Sequence, residues 1–405
     1  MSCRIAFFAD AHVGYKTKVR SNAQGINIRA QDGYNALREV VAQIIKANEE
    51  ELIDCVVIAG DLFHASKPSM RDIVTVQHYL RELSKRNIKV VVLAGNHDAT
   101  DARAELAAIA PINDPDKGIH AFIDPYKQHE IADGVMLHIV SHHGLSSSES
   151  PDVQPKEGYF NVFTTHGAAL DPKNQELMRC AESIREQFIP VEMIIDDSFT
   201  AKLLGHYHSR YPVGGESLNT WYSGSLVRRG FSDAAGARGW MMVTIDDNGQ
   251  STFKAHDIKQ RPQYDLDVID ADGKTASQVM DLLEISLNRT KEAEQEPIVR
   301  QRIINTNRGI RTSLDASKIN ELSAHMLSWQ LEFPKSDRIE KDKVSSKNEL
   351  SLGNKHSVNI LSSYKDWITD VAKSVPEEYR DTVVKDAEEY IREARDKGFE
   401  EGHSH

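Results

Sequence analysis

The chain has 405 residues, too many for one compact domain at roughly 100–200 residues each, so two or more are expected. Its 40% hydrophobic and 27% charged residues describe an ordinary soluble protein, and a net charge of −12 weighs against phosphate binding by the surface as a whole. A nucleic-acid partner would have to meet a local basic patch or bound divalent cations. No apolar run reaches the ~18 residues that span a bilayer. The N-terminus runs directly into a strand and lacks a signal-peptide layout. Cys3, Cys55 and Cys180 show neither zinc spacing nor a disulfide framework. They read as buried thiols in a reducing cytosol, which makes a cytoplasmic location the expectation.

In chain order, Arg4–Ala9 reads as a first strand ending at Asp10-Ala11-His12, followed by a polar loop from Gly14 to Gln31. Leu37, Val40, Val41, Ile44 and Ile45 share one face of a helix expected over Tyr34–Asn48. Cys55–Ala59 is a second strand, stopping at Gly60-Asp61-Leu62-Phe63-His64. Met70–Lys85 is a second helix with Pro68 near its start, and Lys89–Ala94 a third strand that spills into Gly95-Asn96-His97-Asp98. Strand, helix, strand, helix, strand predicts right-handed crossovers and a parallel sheet. Further strands are expected at Val135–Ser141 (alternating), Tyr159–Thr165, Ala201–Leu204, Thr220–Leu226 and Gly239–Ile245. The fold class is therefore α/β: a layered sandwich flanked by helices over residues 1–257. A strand at Leu266–Ile269, a helix at Ser277–Asn288 and an alternating strand at Ile298–Asn305 mark a small α+β unit over 258–334. Residues 335–357, charged and rich in Ser and Lys, read as a linker, and 358–405 as an amphipathic helical tail.

Five strand ends stop in metal-ligating or proton-carrying side chains: Asp10/His12, Asp61/His64, Asn96/His97/Asp98, His166 and His206/His208. Side chains two apart on an extended backbone point to the same side. Carboxylate, imidazole and amide oxygen together suit Mn²⁺, Fe²⁺ or Zn²⁺ better than Ca²⁺, and the lack of a thiolate argues against structural zinc. The set is too large for one ion. Two ions a few Å apart clamp an in-line phosphoryl displacement.

Asp-x-His, Gly-Asp, Gly-Asn-His-Asp, His-Gly and Gly-His-x-His in this order resemble the calcineurin-like metallophosphoesterase superfamily over roughly residues 4–245. The resemblance implies that Asp10, His12, Asp61 and His208 hold one divalent ion, and that Asp61, Asn96, His166 and His206 hold the other. His97 would act on the reacting phosphodiester, with Asp98 supporting it. His142 and His143 also follow an apolar strand and compete for the place given to His166.

Gly60–His64, and Tyr222-Ser223-Gly224-Ser225-Leu226 followed by Arg228 and Phe231, are similar to the Mre11/SbcD DNA-repair nucleases in their short bacterial or phage form. That resemblance implies a Mn²⁺-dependent 3′-to-5′ exonuclease, also endonucleolytic, with Mg²⁺, Fe²⁺ or Zn²⁺ as other possible ions. It makes His64 a substrate contact. It also implies a homodimer in a heterotetramer with a Rad50/SbcC-like coiled-coil ATPase, docked by the C-terminal helices. Lys16, Lys18 and Arg20 follow the first motif, and Arg228 and Arg229 follow the Tyr-Ser-Gly-Ser run, so both groups are candidate DNA-backbone contacts. A small-molecule or cyclic-nucleotide phosphodiesterase on the same centre, and a non-enzymatic scaffold, are the alternatives. The terminal Gly402-His403-Ser404-His405 repeats the Gly-His-x-His pattern with no strand before it and reads as a frayed tail.

Overall fold

The computed structural model describes residues 2–98, 107–146, 151–169 and 187–334. The expected linker and helical tail, Cys180 and the terminal Gly-His-Ser-His lie outside the described residues.

The first four strands are β1 (Cys3–Phe8), β2 (Cys55–Ala59), β3 (Lys89–Leu93) and β4 (Ile119–Phe122). They lie side by side and parallel. Next come β5 (Tyr126–Ala132), β6 (Val135–Val140), β7 (Phe160–His166), β8 (Phe199–Gly205), β9 (Tyr211–Pro212) and β10 (Thr220–Tyr222). These form a second six-stranded sheet in the order β5-β6-β7-β8-β10-β9. Then β11 (Gly239–Ile245) and β12 (Ser251–Asp257) return to the first sheet, antiparallel to β1 and to each other, completing the order β12-β11-β1-β2-β3-β4. Both large sheets are thus mixed.

The period of two along β1 to β3 decides what each side chain meets. Ile5, Phe7, Val57, Val91 and Leu93 join Leu137, Ile139, Val162, Leu203, Met241 and Val243 in the core between the sheets. Ala6, Phe8, Val56, Ile58, Val90 and Val92 pack instead under α1 (Ile28–Glu50) and α2 (Met70–Ser84), against Leu37, Val40, Ile44, Val76 and Leu80. Each fully buried branched side chain contributes about 1.5–3 kcal/mol. Ser69 and Asp72 start α2 with reciprocal side-chain-to-backbone caps.

Several boundaries differ from expectation. The first helix begins at Ile28, inside the expected loop, because Asn27 accepts the Arg29 N–H as its cap. Val135–Val140 is buried on every residue rather than alternating, since both of its faces are covered. The strand expected to run to Leu226 stops at Tyr222. Edge strands β5 and β12 carry no apolar signal in the sequence because their solvent-facing sides are polar.

Two short helices, α3 (His142–Ser146) and α4 (Val191–Ile195), flank the second sheet. Beyond them, β13 (Gln263–Asp265) and β14 (Ile269–Asp270) replace the single strand expected over Leu266–Ile269. Leu266 instead turns into an apolar cluster with Leu287 and Val299. Helix α5 (Ala276–Leu287) leads to β15 (Ile298–Ile304), and α6 (Arg308–Ser313) and α7 (Ala316–Ser323) lead to β16 (Ser328–Glu332). All pairings onto β15 are parallel. Arg261 forks onto both oxygens of Asp32 at 2.8 and 2.9 Å and so ties this small sheet's lead-in to α1. Among the described residues no helix is long and apolar enough to cross a membrane.

Candidate metal centre

The turns that leave β1 and β2 stay hydrogen-bonded beyond the strands, with His12 N–H on the Asp61 carbonyl at 2.9 Å and Asp10 N–H on the Gly60 carbonyl at 3.1 Å. Asp10, His12, Asp61 and His206 have φ of 52°, 43°, 50° and 114°. The side chains therefore converge through tight left-handed turns, not by alternation on extended backbone. Such conformations cost about 1–3 kcal/mol each in ordinary residues and mark functional turns. Gly60, at φ 87°, has no Cβ because the His166 ring lies against it. At Gly95 a Cβ would collide with Asp61.

Three overlapping groups result. Asp10, His12 and His208 bring ligand atoms within 4.8 Å of one another, as do Asp10, Asp61 and His166, and His12, His64 and His97. On one side, His12 Nε2 and His208 Nε2 stand 3.2 Å apart. On the other, Asn96 Oδ1 lies 2.9 Å from His166 Nε2 and 3.4 Å from His206 Nδ1. Asp61 faces both: Oδ2 is 3.7 Å from His12 Nε2, and Oδ1 is 3.4 Å from His166 Nε2. His142 donates to the His166 backbone carbonyl at 3.1 Å from outside these groups.

These residues fit a pair of cations. Asp10 Oδ1 and Asp61 Oδ2 are buried and have no hydrogen-bond partner among the described residues. Two adjacent buried carboxylates without positive charge are costly. His166 Nδ1 donates to the Ala59 carbonyl at 2.9 Å and His208 Nδ1 to Asp233 Oδ1 at 3.0 Å, which turns both Nε2 atoms inward. Burial pushes the Asp10 carboxyl up to about 6. Burial also acts against Asp61, but His166 and His97 outweigh it and hold this carboxyl well below the usual range.

Burial alone would lower the His166 imidazolium, yet the charge and hydrogen bond of Asp61 raise it to about 10. Asp61 thus favours the imidazolium of His166 at neutral pH, and a cation taken up there would displace that proton. Apparent Mn²⁺ affinity should therefore climb about tenfold per pH unit while that proton is being displaced. Calorimetry in buffers of different ionisation enthalpy reads the released proton; uptake without release would contradict the assignment.

His97 and His64 form the more open side. Their rings stack with centroids 5.1 Å apart, and His97 Nδ1 donates to the His64 carbonyl at 2.6 Å. That leaves His97 Nε2 facing Asp61 Oδ2 at 3.9 Å. Asp98 is fully buried and takes the N–H groups of Leu62, Phe63 and Gly95 at 3.2, 3.0 and 3.0 Å. The contacts that define it are with backbone, locking the β2 and β3 turns together. Burial and the charge of Asp61 push its carboxyl up to about 6.

The basic candidates fare differently. Lys16 and Lys18 are exposed, and Arg20 ion-pairs with Glu296. Arg228 donates to the Asp233 carbonyl at 3.2 and 3.1 Å and lies over the Phe231 ring. Arg229 is buried, with its N–H on Asp233 Oδ2 at 2.9 Å. Lys18, Arg29 and Arg229 line a cavity of about 300 Å³ with Tyr15, Thr17 and Gln330, and no described carboxylate lines it. The Tyr15 ring sits 5.0 Å from His64, so this cavity adjoins the centre.

Asp233 and Arg29 are functional candidates that the sequence alone does not single out. Arg29 is buried, donating to Asp32 at 2.7 Å and to the Arg228 carbonyl at 2.6 Å. Neither residue sits at a strand end, and no local pattern marks either.

A family model described as calcineurin-like phosphoesterase matches residues 3–249. Among solved structures, the chain is similar to a dimetal phosphatase from Danio rerio at 12% identity, covering 62% of this chain and 98% of that one, with a TM-score of 0.34. It is also similar to the nuclease MPE of Pseudomonas putida at 18% identity, covering 39% and 59%, with a TM-score of 0.21.

Proposed function

We propose, from the premise that this chain belongs to the calcineurin-like phosphoesterase family, that it is a metal-dependent DNA nuclease. The observation that carries the nucleic-acid reading is the cavity beside the centre. In a chain of net charge −12, its described lining has Lys18, Arg229 and Arg29, the last paired with Asp32 behind it, and no carboxylate. A substrate with a second phosphate near the cleaved one gains from such a cavity, and a small phosphomonoester does not.

Asp10, His12, Asp61 and His208 would hold one ion, and Asp61, Asn96, His166 and His206 the other. Two divalent ions, Mn²⁺ in our reading, would supply charge neutralisation and water activation at neutral pH. His97, oriented by the His64 carbonyl, would contact the phosphodiester and protonate the leaving oxygen. Asp98 keeps the two turns in register, so that Asn96 and His97 stay on the Asp61 side.

Labelled linear duplex and bis-p-nitrophenyl phosphate, each with Mn²⁺, test the proposal. Cleavage of both is expected, with 3′-to-5′ degradation of the duplex. Hydrolysis of the small ester alone would overturn the nuclease reading. Double reversal of Lys16 and Lys18 to Glu should weaken duplex binding. It should also flatten the slope of log K against log salt by about 0.9 for each phosphate that is no longer neutralised. An unchanged slope would take this loop out of the footprint. Pairing of two chains and docking of a coiled-coil ATPase on residues 358–405 belong to the same proposal. Truncation after Pro334 should abolish co-purification with that ATPase.

A further inference from the structure

We propose that Asp233 is a positioning residue of the metal centre, tying the ligand His208 to the loop that carries Arg228 and Arg229. The inference rests on the reading of His208 as a ligand. Asp233 is only 1% exposed and spends each of its acceptor atoms on a different part of the site. Oδ1 takes His208 Nδ1–H at 3.0 Å, and Oδ2 takes the Arg229 backbone N–H at 2.9 Å. Its carbonyl takes the Arg228 guanidinium at 3.2 and 3.1 Å.

The first contact sets the tautomer of His208. With Nδ1 protonated and engaged, Nε2 keeps its lone pair and its aim, 3.2 Å from His12 Nε2. The other contacts fix the loop. Arg228's carbonyl accepts from Arg29 at 2.6 Å and from Gln263 at 2.7 Å, and Arg229's carbonyl accepts the Tyr15 hydroxyl at 2.7 Å. Tyr15 and Arg229 both line the cationic cavity. A rotation of Asp233 would therefore be felt at the ligand and at the cavity together. By linkage, order in the loop and ion affinity at His208 favour one another.

Asp233→Asn is the test, because it keeps the size and an acceptor for His208 but removes the charge and sets an amide against the Arg229 N–H. Asp233→Ala removes both contacts. Asp54→Asn, which disturbs the Arg4 N–H at the far end of β1 from the ligands and touches neither the loop nor the cavity, is the structural control. Mn²⁺ titration by calorimetry should show one of two affinities falling about 10–100-fold in the Asp233 variants, with the other nearly unchanged. Saturating Mn²⁺ should restore kcat on bis-p-nitrophenyl phosphate, while KM for an oligonucleotide stays raised. Wild-type affinity at both sites in Asp233→Asn would overturn the proposal. So would an equal fall at both sites, or the same pattern in Asp54→Asn. If wild type binds no Mn²⁺ at all, the metal-centre reading itself fails first.

Discussion

Asp61→Asn should bind neither ion tightly and lower metal-dependent hydrolysis by about three orders of magnitude or more, because charge neutralisation and water activation go together. Asp61 has this weight because its two oxygens divide between two groups of candidate ligands. Oδ2 faces His12 at 3.7 Å, and Oδ1 faces His166 at 3.4 Å while accepting the His97 N–H at 2.9 Å. An amide in this place keeps one acceptor oxygen, removes the charge and sets an NH2 group where the other buried oxygen now meets an imidazole. The β2 turn itself should survive, since Asp98 holds it through the N–H groups of Leu62 and Phe63. Folding and ion binding are read separately: thermal unfolding without metal should fall by what the buried Asp61–His166 pairing contributes, and the further stabilisation given by Mn²⁺ should vanish. Two bound ions and wild-type turnover in Asp61→Asn would remove the two-metal reading.

What is legible in the sequence follows from where the signal is local. Cys55–Ala59 and residues 90–93 are continuous apolar runs because both faces of these parallel strands are covered. A polar cluster directly after such a run is conspicuous, and that makes Asp61 and Asn96 visible. The turn geometry is not legible. Alternation predicts extended pairs at Asp10/His12, but left-handed φ values put them in place, and no local rule forces an Asp or His into that conformation. Asp233 is invisible for a related reason. Its partner His208 is 25 residues away in the chain, and an aspartate in a polar loop looks the same whether or not it meets a buried imidazole. Arg29 shows a third failure. By sequence it is one more surface cation of a polar loop, whereas the helix start at Ile28 carries it inward to the Arg228 carbonyl.

His97→Ala should separate chemistry from ion binding, with kcat falling about 10²- to 10⁴-fold and two ions retained. The ring is held at Nδ1 by the His64 carbonyl at 2.6 Å, so the imidazole is fixed by backbone and keeps Nε2 for the substrate side. It stacks on His64 and meets His12 edge-on, with centroids 5.1 and 4.8 Å away. It remains about one-fifth exposed, while Asp10, Asp61 and His166 are almost fully buried. A group that moves a proton to a leaving oxygen belongs at that open side. A substrate with a leaving group of low pKa, such as p-nitrophenol, needs little protonation. The fall on bis-p-nitrophenyl phosphate should therefore be smaller than the fall on an oligonucleotide. His64→Ala keeps the carbonyl that orients His97 and should cost less than His97→Ala on both substrates. Equal falls on the two esters would assign His97 to charge stabilisation, and departure of an ion would make it a ligand in the group it shares with His12 and His64.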